Sequence, residues 1–269
     1  MESLPRDAFP LFVPGDRPDR FAKAAGAGTD TVIIDLEDAV APGAKASARE
    51  GLAGGLEGLD GVQIWLRVNA VGTEWHSADM AAAASVSVHA VMLPKAENAA
   101  QLAGVRAQLR PGQALIALVE TARGVHAAED IAQASDRMAF GSVDYALDLG
   151  CQPSRDAFLL ARSRLVLAAR LAGRPAPLDG VTTKTDDSAL VQADSAYAYG
   201  LGFGGKLLIH PRQIEPARAG FAPAPEEIAW AKRVLAEAGS GAAAAMDGEM
   251  IDAPVLERAR GILARAGGA

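Results

Sequence analysis

The chain has 269 residues, half of them hydrophobic and 5% aromatic, with a formal net charge of −7. That length suits one large α/β domain, and the acidic balance, with no clustered basic face, argues against a nucleic-acid surface. A single cysteine, Cys151, permits no disulfide within the chain, residues 1–7 lack the features of a signal peptide, and the Ala-rich run 80–93 is too short and polar to cross a bilayer, so a cytoplasmic protein is expected.

Residues 9–13 predict a first strand closed by Pro14-Gly15, with Asp16 as a helix cap and an Ala-rich helix over 18–25. Thr31-Val-Ile-Ile-Asp35 predicts a β-branched second strand that breaks into the acids Asp35, Glu37 and Asp38, and a helix over 44–56 follows. Residues 63–69 form a third strand with Arg67 and Asn69 at its exit, and residues 89–95 a fourth ending in Pro94-Lys95. The fifth and sixth, residues 114–119 and 138–143, are apolar runs too brief for helices, and each leads into a carboxylate, Glu120 and Asp144. After a long helix over 155–172 come a weak seventh strand, residues 177–183, and an eighth, residues 205–211, with Gly202-Phe-Gly-Gly205 as the tight turn before it.

This alternation predicts a parallel sheet with right-handed crossovers, closed as a (β/α)8 TIM barrel over residues 1–220. An open doubly wound sheet is the competing fold, but no Gly-x-Gly-x-x-Gly turn follows the first strand. Residues 221–269 are surplus to a barrel. They predict an amphipathic helix over 225–238 stopped by Gly239, a Gly/Ala-rich hinge and a final helix over 255–266, a C-terminal helical extension expected to meet a neighbouring subunit or fold over a barrel mouth.

One strand-end acid is explained by helix capping. Here Asp35, Glu37, Asp38, Arg67, Asn69, Lys95, Glu120, Asp144 and His210 all fall at or just past the carboxyl end of a predicted strand, the catalytic face of a barrel. Like charges crowded there would oppose folding unless something bound among them. Glu120 and Asp144, on neighbouring strands, suit a hard divalent cation such as magnesium, which keeps waters and also binds substrate oxygens. Arg67 reads as a substrate ligand or as a structural partner of Glu37 or Asp38. Lys95 and His210 read as structural, and Cys151 has no histidine beside it to make it a nucleophile.

Eight stretches resemble the citrate lyase β-subunit-like branch of the HpcH/HpaI aldolase superfamily. They are Leu11-Phe-Val-Pro-Gly15, Asp35-Leu-Glu-Asp-Ala-Val40, Leu66-Arg-Val-Asn69, Leu93-Pro-Lys95, Val119-Glu-Thr-Ala122, Phe140-Gly-Ser-Val-Asp-Tyr145, Gly202-Phe-Gly-Gly-Lys206 with Ile209-His-Pro-Arg-Gln-Ile214, and Met250-Ile-Asp-Ala-Pro254. The resemblance implies a homotrimeric, magnesium-dependent lyase that cleaves or forms a carbon–carbon bond in a 3-hydroxyacyl-CoA thioester such as citramalyl-, malyl- or citryl-CoA, giving acetyl-CoA and a 2-oxo acid. It implies Glu120 and Asp144 as metal ligands, Arg67 as the arginine on substrate oxygens, and Glu37 and Asp38 beside the metal's water shell. Phe12 and Lys23 fall where relatives contact coenzyme A. Asp252 falls where some relatives insert an acid from an adjacent subunit; the alternative for it is the N-cap of the last helix. Competing activities are the lyase subunit of a citrate lyase complex acting on an acyl-carrier-protein thioester, an acyl-CoA thioesterase, or a non-catalytic thioester-binding protein.

Overall fold

The computed structural model describes residues 4–5, 8–238, 245–246 and 249–266. The chain divides into two compact units, Met1–Gly220 and Phe221–Ala269. In the first, β1 (Leu11–Pro14), β2 (Thr31–Asp35), β3 (Gln63–Arg67), β4 (Ala90–Leu93), β5 (Ala114–Val119) and β6 (Arg137–Phe140) lie side by side in that order as one parallel sheet. Five of these strands, β2 to β6, are almost wholly buried, as strands covered on both faces must be.

Between them run α1 (Phe21–Ala25), α2 (Lys45–Leu56), α3 (His76–Ser85), α4 (Ala99–Arg106), α5 (Ala122–His126) and α6 (Ala128–Ala134). Beyond β6 come α7 (Ser142–Leu149), α8 (Arg155–Leu171), α9 (Ser188–Leu201) and α10 (Ile214–Phe221). Asn98, Thr121, Ser154 and Asp187 cap α4, α5, α8 and α9 through their side-chain oxygens, each worth about 1 kcal/mol. Gly150 and Gly202 end α7 and α9 in the left-handed conformation that glycine adopts without cost. Asp16, expected as a cap, makes no such bond; the turn Pro18–Arg20 has no side-chain cap, and Arg17 pairs with Asp19 at 2.9 Å instead.

The expected seventh and eighth strands appear as isolated parallel bridges: Ala139 with Leu178, Asp179 with Lys206, Leu11 with Leu208, and Ala8 with Gly205. Pro175, Pro177 and Pro211 bring no N–H to a ladder, and Gly180 brings no side chain to pack, so neither run extends further. One buried cluster nevertheless unites Ile33, Trp65, Met92, Ile116, Leu118 and Ala139 from the sheet with Ala8, Leu178 and Leu207. Burial alone would raise the pKa of Asp179, but Lys206 at 3.2 Å and Arg162 at 2.8 Å hold it below the ordinary carboxylate range. The start of β6 is tied down by buried Arg137. Its guanidinium donates to the carbonyls of Ala176 at 2.8 Å, and Pro5 and Gly204 at 2.7 Å each.

In the second unit α11 (Pro225–Ala238) and α12 (Ala253–Ala266) pack through Ala231, Val234, Ala259 and Ile262. A two-residue antiparallel pair, β7 (Ala245–Met246) with β8 (Glu249–Met250), stands at the end of the Gly/Ala-rich hinge, where no strand was expected. Gly239 and most of that hinge lie outside the described residues. Among the described residues no helix is long and apolar enough to cross a membrane.

Candidate active site

The sheet register builds the site. Asp35 and Arg67 are the last residues of β2 and β3 and face each other as Cα partners. Their side chains meet as a fork, with Arg67 Nε and Nη2 donating to the two Asp35 oxygens at 2.7 Å each. Asp35 also accepts the backbone N–H groups of Glu37 and Ala39, so it fixes the turn after β2 as well as the arginine. The third arm, Arg67 Nη1, lies 3.1 Å from Glu37 Oε2 and 3.4 Å from Asp38 Oδ2. The Phe12 ring lies 4.8 Å from the guanidinium. Burial works against the charged form of Arg67, but Asp35, then Glu37 and Asp38, more than offset it, and its pKa ends well above the ordinary value.

A second tier holds the turn that carries Glu37. Lys45, at the start of α2, donates to the carbonyls of Leu36 at 2.8 Å and Glu37 at 2.9 Å, with the Trp75 ring 4.9 Å from its ammonium. Asn69 Nδ2 reaches the same Leu36 carbonyl, and buried Asp79 accepts from the Asn69 side chain and backbone and from Arg49. Such bonds let a rim residue keep its geometry without touching a ligand.

Opposite, Glu120 follows β5 and is almost wholly buried. Its carboxyl is wedged against Gly141, where any β-carbon would collide with it. Lys95 N–H donates to Glu120 Oε1 at 2.9 Å. Burial, then the charges of Glu37 and Asp144, push the Glu120 carboxyl up to about 8, against the pull of Lys95 and Arg67. Burial likewise raises the Glu37 pKa, with Arg67 and Lys95 opposing. Glu37 Oε2 is buried with Arg67 as an ionic neighbour but, among the described residues, with no hydrogen-bond donor.

Asp144 sits in the first turn of α7, four residues beyond β6 and not at the strand's edge as its motif suggested, because the helix begins at Ser142. It still faces the same space. Lys95 Nζ lies 2.7 Å from Glu37, 3.6 Å from Asp144 and 3.9 Å from Glu120. Lys95, read from sequence as structural, therefore stands among the acids. His210 does serve the backbone: it caps the short turn Pro211–Gln213 and accepts from Arg212 N–H.

Phe12, Asp35, Asp38, Arg67, Glu120 and Asp144 line one cavity of about 370 Å³, with Val181 and Ile209 on its apolar wall. Lys23 is exposed on α1 and does not line it. Asp252, in the second unit, accepts from Val255 N–H at 3.1 Å as an N-cap of α12. Sequence reading missed the Asp35–Arg67 fork, which the register of two strands ending in opposite charges could have shown. It also missed the tier of Lys45 and Asp79, for which the sequence carries no signal.

Among the described residues no three His, Cys, Asp or Glu side chains form a ready-made metal cage. The donors present are carboxylate oxygens: Glu120 and Asp144, with Glu37 Oε2, ion-paired to Arg67, nearby. That set fits a hard cation that keeps most of its waters and suits neither zinc nor copper, which draw on nitrogen and sulfur.

The family model for HpcH/HpaI aldolase/citrate lyase matches residues 9–211. A citrate lyase subunit beta-like protein of Mycobacterium tuberculosis is 43% identical over 96% of this chain and 94% of its own. A (3S)-malyl-CoA thioesterase of Cereibacter sphaeroides is 38% identical over 95% and 93%. The crystal structure of CitE from M. tuberculosis in complex with magnesium, acetoacetate and coenzyme A superposes with a TM-score of 0.88 at 40% identity, covering 98% of this chain and 100% of that one. With matches of this extent over the strands and turns that build the cavity, the chain belongs to the HpcH/HpaI aldolase/citrate lyase family.

Proposed function

We propose that this protein is a magnesium-dependent carbon–carbon lyase that cleaves or forms a 3-hydroxyacyl-CoA thioester, of the citramalyl, malyl or citryl kind, to or from acetyl-CoA and a 2-oxo acid. The observation that carries the reading is Glu120 and Asp144 facing Arg67 and Phe12 across one 370 Å³ cavity. The M. tuberculosis CitE complex, which holds magnesium, acetoacetate and coenzyme A together, supports it.

Glu120 and Asp144 would hold the magnesium, which when bound lowers the pKa of a chelated hydroxyl and orients a 2-oxo acid carboxylate. Arg67 neutralises charge on substrate oxygen; its Nη1 arm, in the longer contacts to Glu37 and Asp38, is the one a carboxylate can recruit while the Asp35 fork keeps the guanidinium in place. In cleavage the substrate hydroxyl loses its proton and becomes the carbonyl of the oxo acid. The bond between C2 and C3 breaks, its electron pair stays on the acetyl thioester as an enolate, the hydroxyl proton passes to solvent, and Asp252 from the tail of a second copy, protonated from solvent, delivers one proton to that carbon. Glu37 and Asp38 would stand beside the metal's waters, Phe12 would close the cavity beside the acyl group, and Lys23 would meet the coenzyme A tail.

The fold proposed for this chemistry is a complete (β/α)8 barrel, with the runs around Leu178 and Leu207 as its seventh and eighth staves, supported by the four parallel bridges and the shared core. Residues 1–220 would be the catalytic domain and residues 221–269 the extension that reaches a neighbour. The protein would work in the cytoplasm as a homo-oligomer, a trimer or a multiple of trimers. Exposed Leu160, Leu167 and Leu171 on one face of α8 fit such contacts.

The test is a paired assay with citramalyl-, malyl- and citryl-CoA, with and without magnesium, following free thiol and 2-oxo acid separately. Oxo acid together with acetyl-CoA, and only with metal, is expected. Thiol without oxo acid would make the protein a thioesterase, and neither product from any substrate would overturn the lyase reading.

A further inference from the structure

Lys95 follows Pro94 at the exit of β4 and is the one non-glycine residue, among those described, with a left-handed backbone, at φ 49°. That conformation costs an ordinary residue about 1 kcal/mol, which a glycine would avoid. Strain of this kind persists where surrounding structure and function hold it. Here it delivers a backbone N–H to Glu120 and an ammonium to the acids. Among the described residues the ammonium makes one hydrogen bond, to Glu37 Oε1, and stands beside Asp144 and Glu120 at 3.6 and 3.9 Å without bonding either. Its side chain is 41% exposed, so the four-carbon stem is free to pivot outward. Arg67, the other cation of the rim, is committed to Asp35 and shared with Glu37 and Asp38. The cation that falls on Glu120 and Asp144 is therefore Lys95.

We propose that Lys95 is a built-in counter-ion of the metal site: it partly neutralises Glu120 and Asp144 in the metal-free protein and opposes a divalent cation settling between them. The site then holds its metal loosely until substrate oxygens complete the shell, and metal and substrate enter together. This rests on Glu120 and Asp144 being the ligands, as proposed above. A unit positive charge a few ångströms from a divalent ion changes affinity about tenfold even at the dielectric of water.

The experiment strips the whole protein with a chelator and runs each titration under nitrogen at pH 8, 8.5 and 9, comparing affinities at the limit where Glu120 carries no proton, because losing Lys95 also lets the Glu120 carboxyl rise. It then titrates Mn2+ by the loss of its free electron paramagnetic resonance signal and Mg2+ by calorimetry, with no substrate present. Lys95→Met and Lys95→Gln are expected to bind either metal about tenfold more tightly than wild type, and Lys95→Arg, which keeps the charge, within about threefold of it. Every variant keeps the backbone N–H to Glu120, so a change isolates the ammonium. If Lys95→Met does not fold, Lys95→Gln decides. Metal bound by wild type but no tighter, or more weakly, by the neutral variants overturns the counter-ion. A wild-type protein that binds no metal, or one whose binding survives Glu120→Gln and Asp144→Asn, overturns the ligand assignment and this inference with it.

Discussion

Glu120 is the side chain whose charge the site has to manage. Its carboxyl is raised from an ordinary 4.5 to about 8, by burial and then by Glu37 and Asp144. Between those two values the folded protein binds a proton that the unfolded chain has released. Its contribution to stability is therefore full below about pH 4.5 and is lost as pH rises through about 8. Thermal melts of the metal-stripped protein should show stability falling across that window, and Glu120→Gln should flatten the fall. A divalent ion must displace that same proton, so metal affinity measured by calorimetry should rise with pH until about 8 and then level. Arg67 gives a different signature. Arg67→Met leaves Asp35 charged and buried without its fork, a loss of about 3–5 kcal/mol in a denaturation experiment. Arg67→Lys keeps the charge but not the two parallel bonds, and should fold while losing kcat/KM by roughly 100-fold.

At the scale of elements, the exits of β4, β5 and β6 form one device. Glu120 at the end of β5 is clamped between the Lys95 N–H on one side and Gly141 on the other. A methyl group at position 141 has nowhere to go, so Gly141→Ala should cost about 1–3 kcal/mol and weaken metal binding in the same calorimetric titration. Backbone strain at position 95 predicts a reversal of the usual order: Lys95→Gly should be more stable than Lys95→Ala by about 1 kcal/mol. Much of this device was legible in the sequence. Apolar runs such as residues 114–119 announce buried parallel strands, and a carboxylate at the end of such a run marks the face where it emerges. The displacement of Asp144 into α7 was not legible, since the helix start at Ser142 depends on how the chain leaves the sheet. The bridges at Leu178 and Leu208 were weak for a physical reason, because prolines and a buried charged pair interrupt the apolar pattern. The tier of Lys45 and Asp79 depends on tertiary contacts between residues 30 or more positions apart in one case, Arg49 with Asp79, and no local pattern carries that.

For the whole molecule, the proposed oligomer turns on Asp252. Its cap to Val255 N–H is a sufficient structural reason for an acid there, so stability and catalysis have to be separated. Asp252→Ser keeps a capping oxygen and should leave the melting temperature unchanged, whereas Asp252→Ala should lose about 1 kcal/mol. If the carboxyl also serves the reaction, both variants lose kcat alike. Co-refolding an Arg67→Lys chain, which folds, with an Asp252→Ser chain should then restore a share of activity, because some cavities receive an intact tail from the other chain; no recovery at any mixing ratio would mean that the acid does not act across a subunit interface. The seam where the two ends of the first unit meet has a further consequence during synthesis. Phe12 N–H pairs with the Leu208 carbonyl, and Arg137 grips Pro5 and Gly204 together. At ribosomal rates, nearly 200 residues separate those partners by roughly 10–40 s. Through that interval the nascent chain exposes an apolar strand edge with no neighbour, the surface that invites wrong pairing with other chains. The gene's last third thus decides the fate of its first strand, and a ribosome stalled before codon 208 should release an aggregation-prone fragment instead of a soluble half-protein.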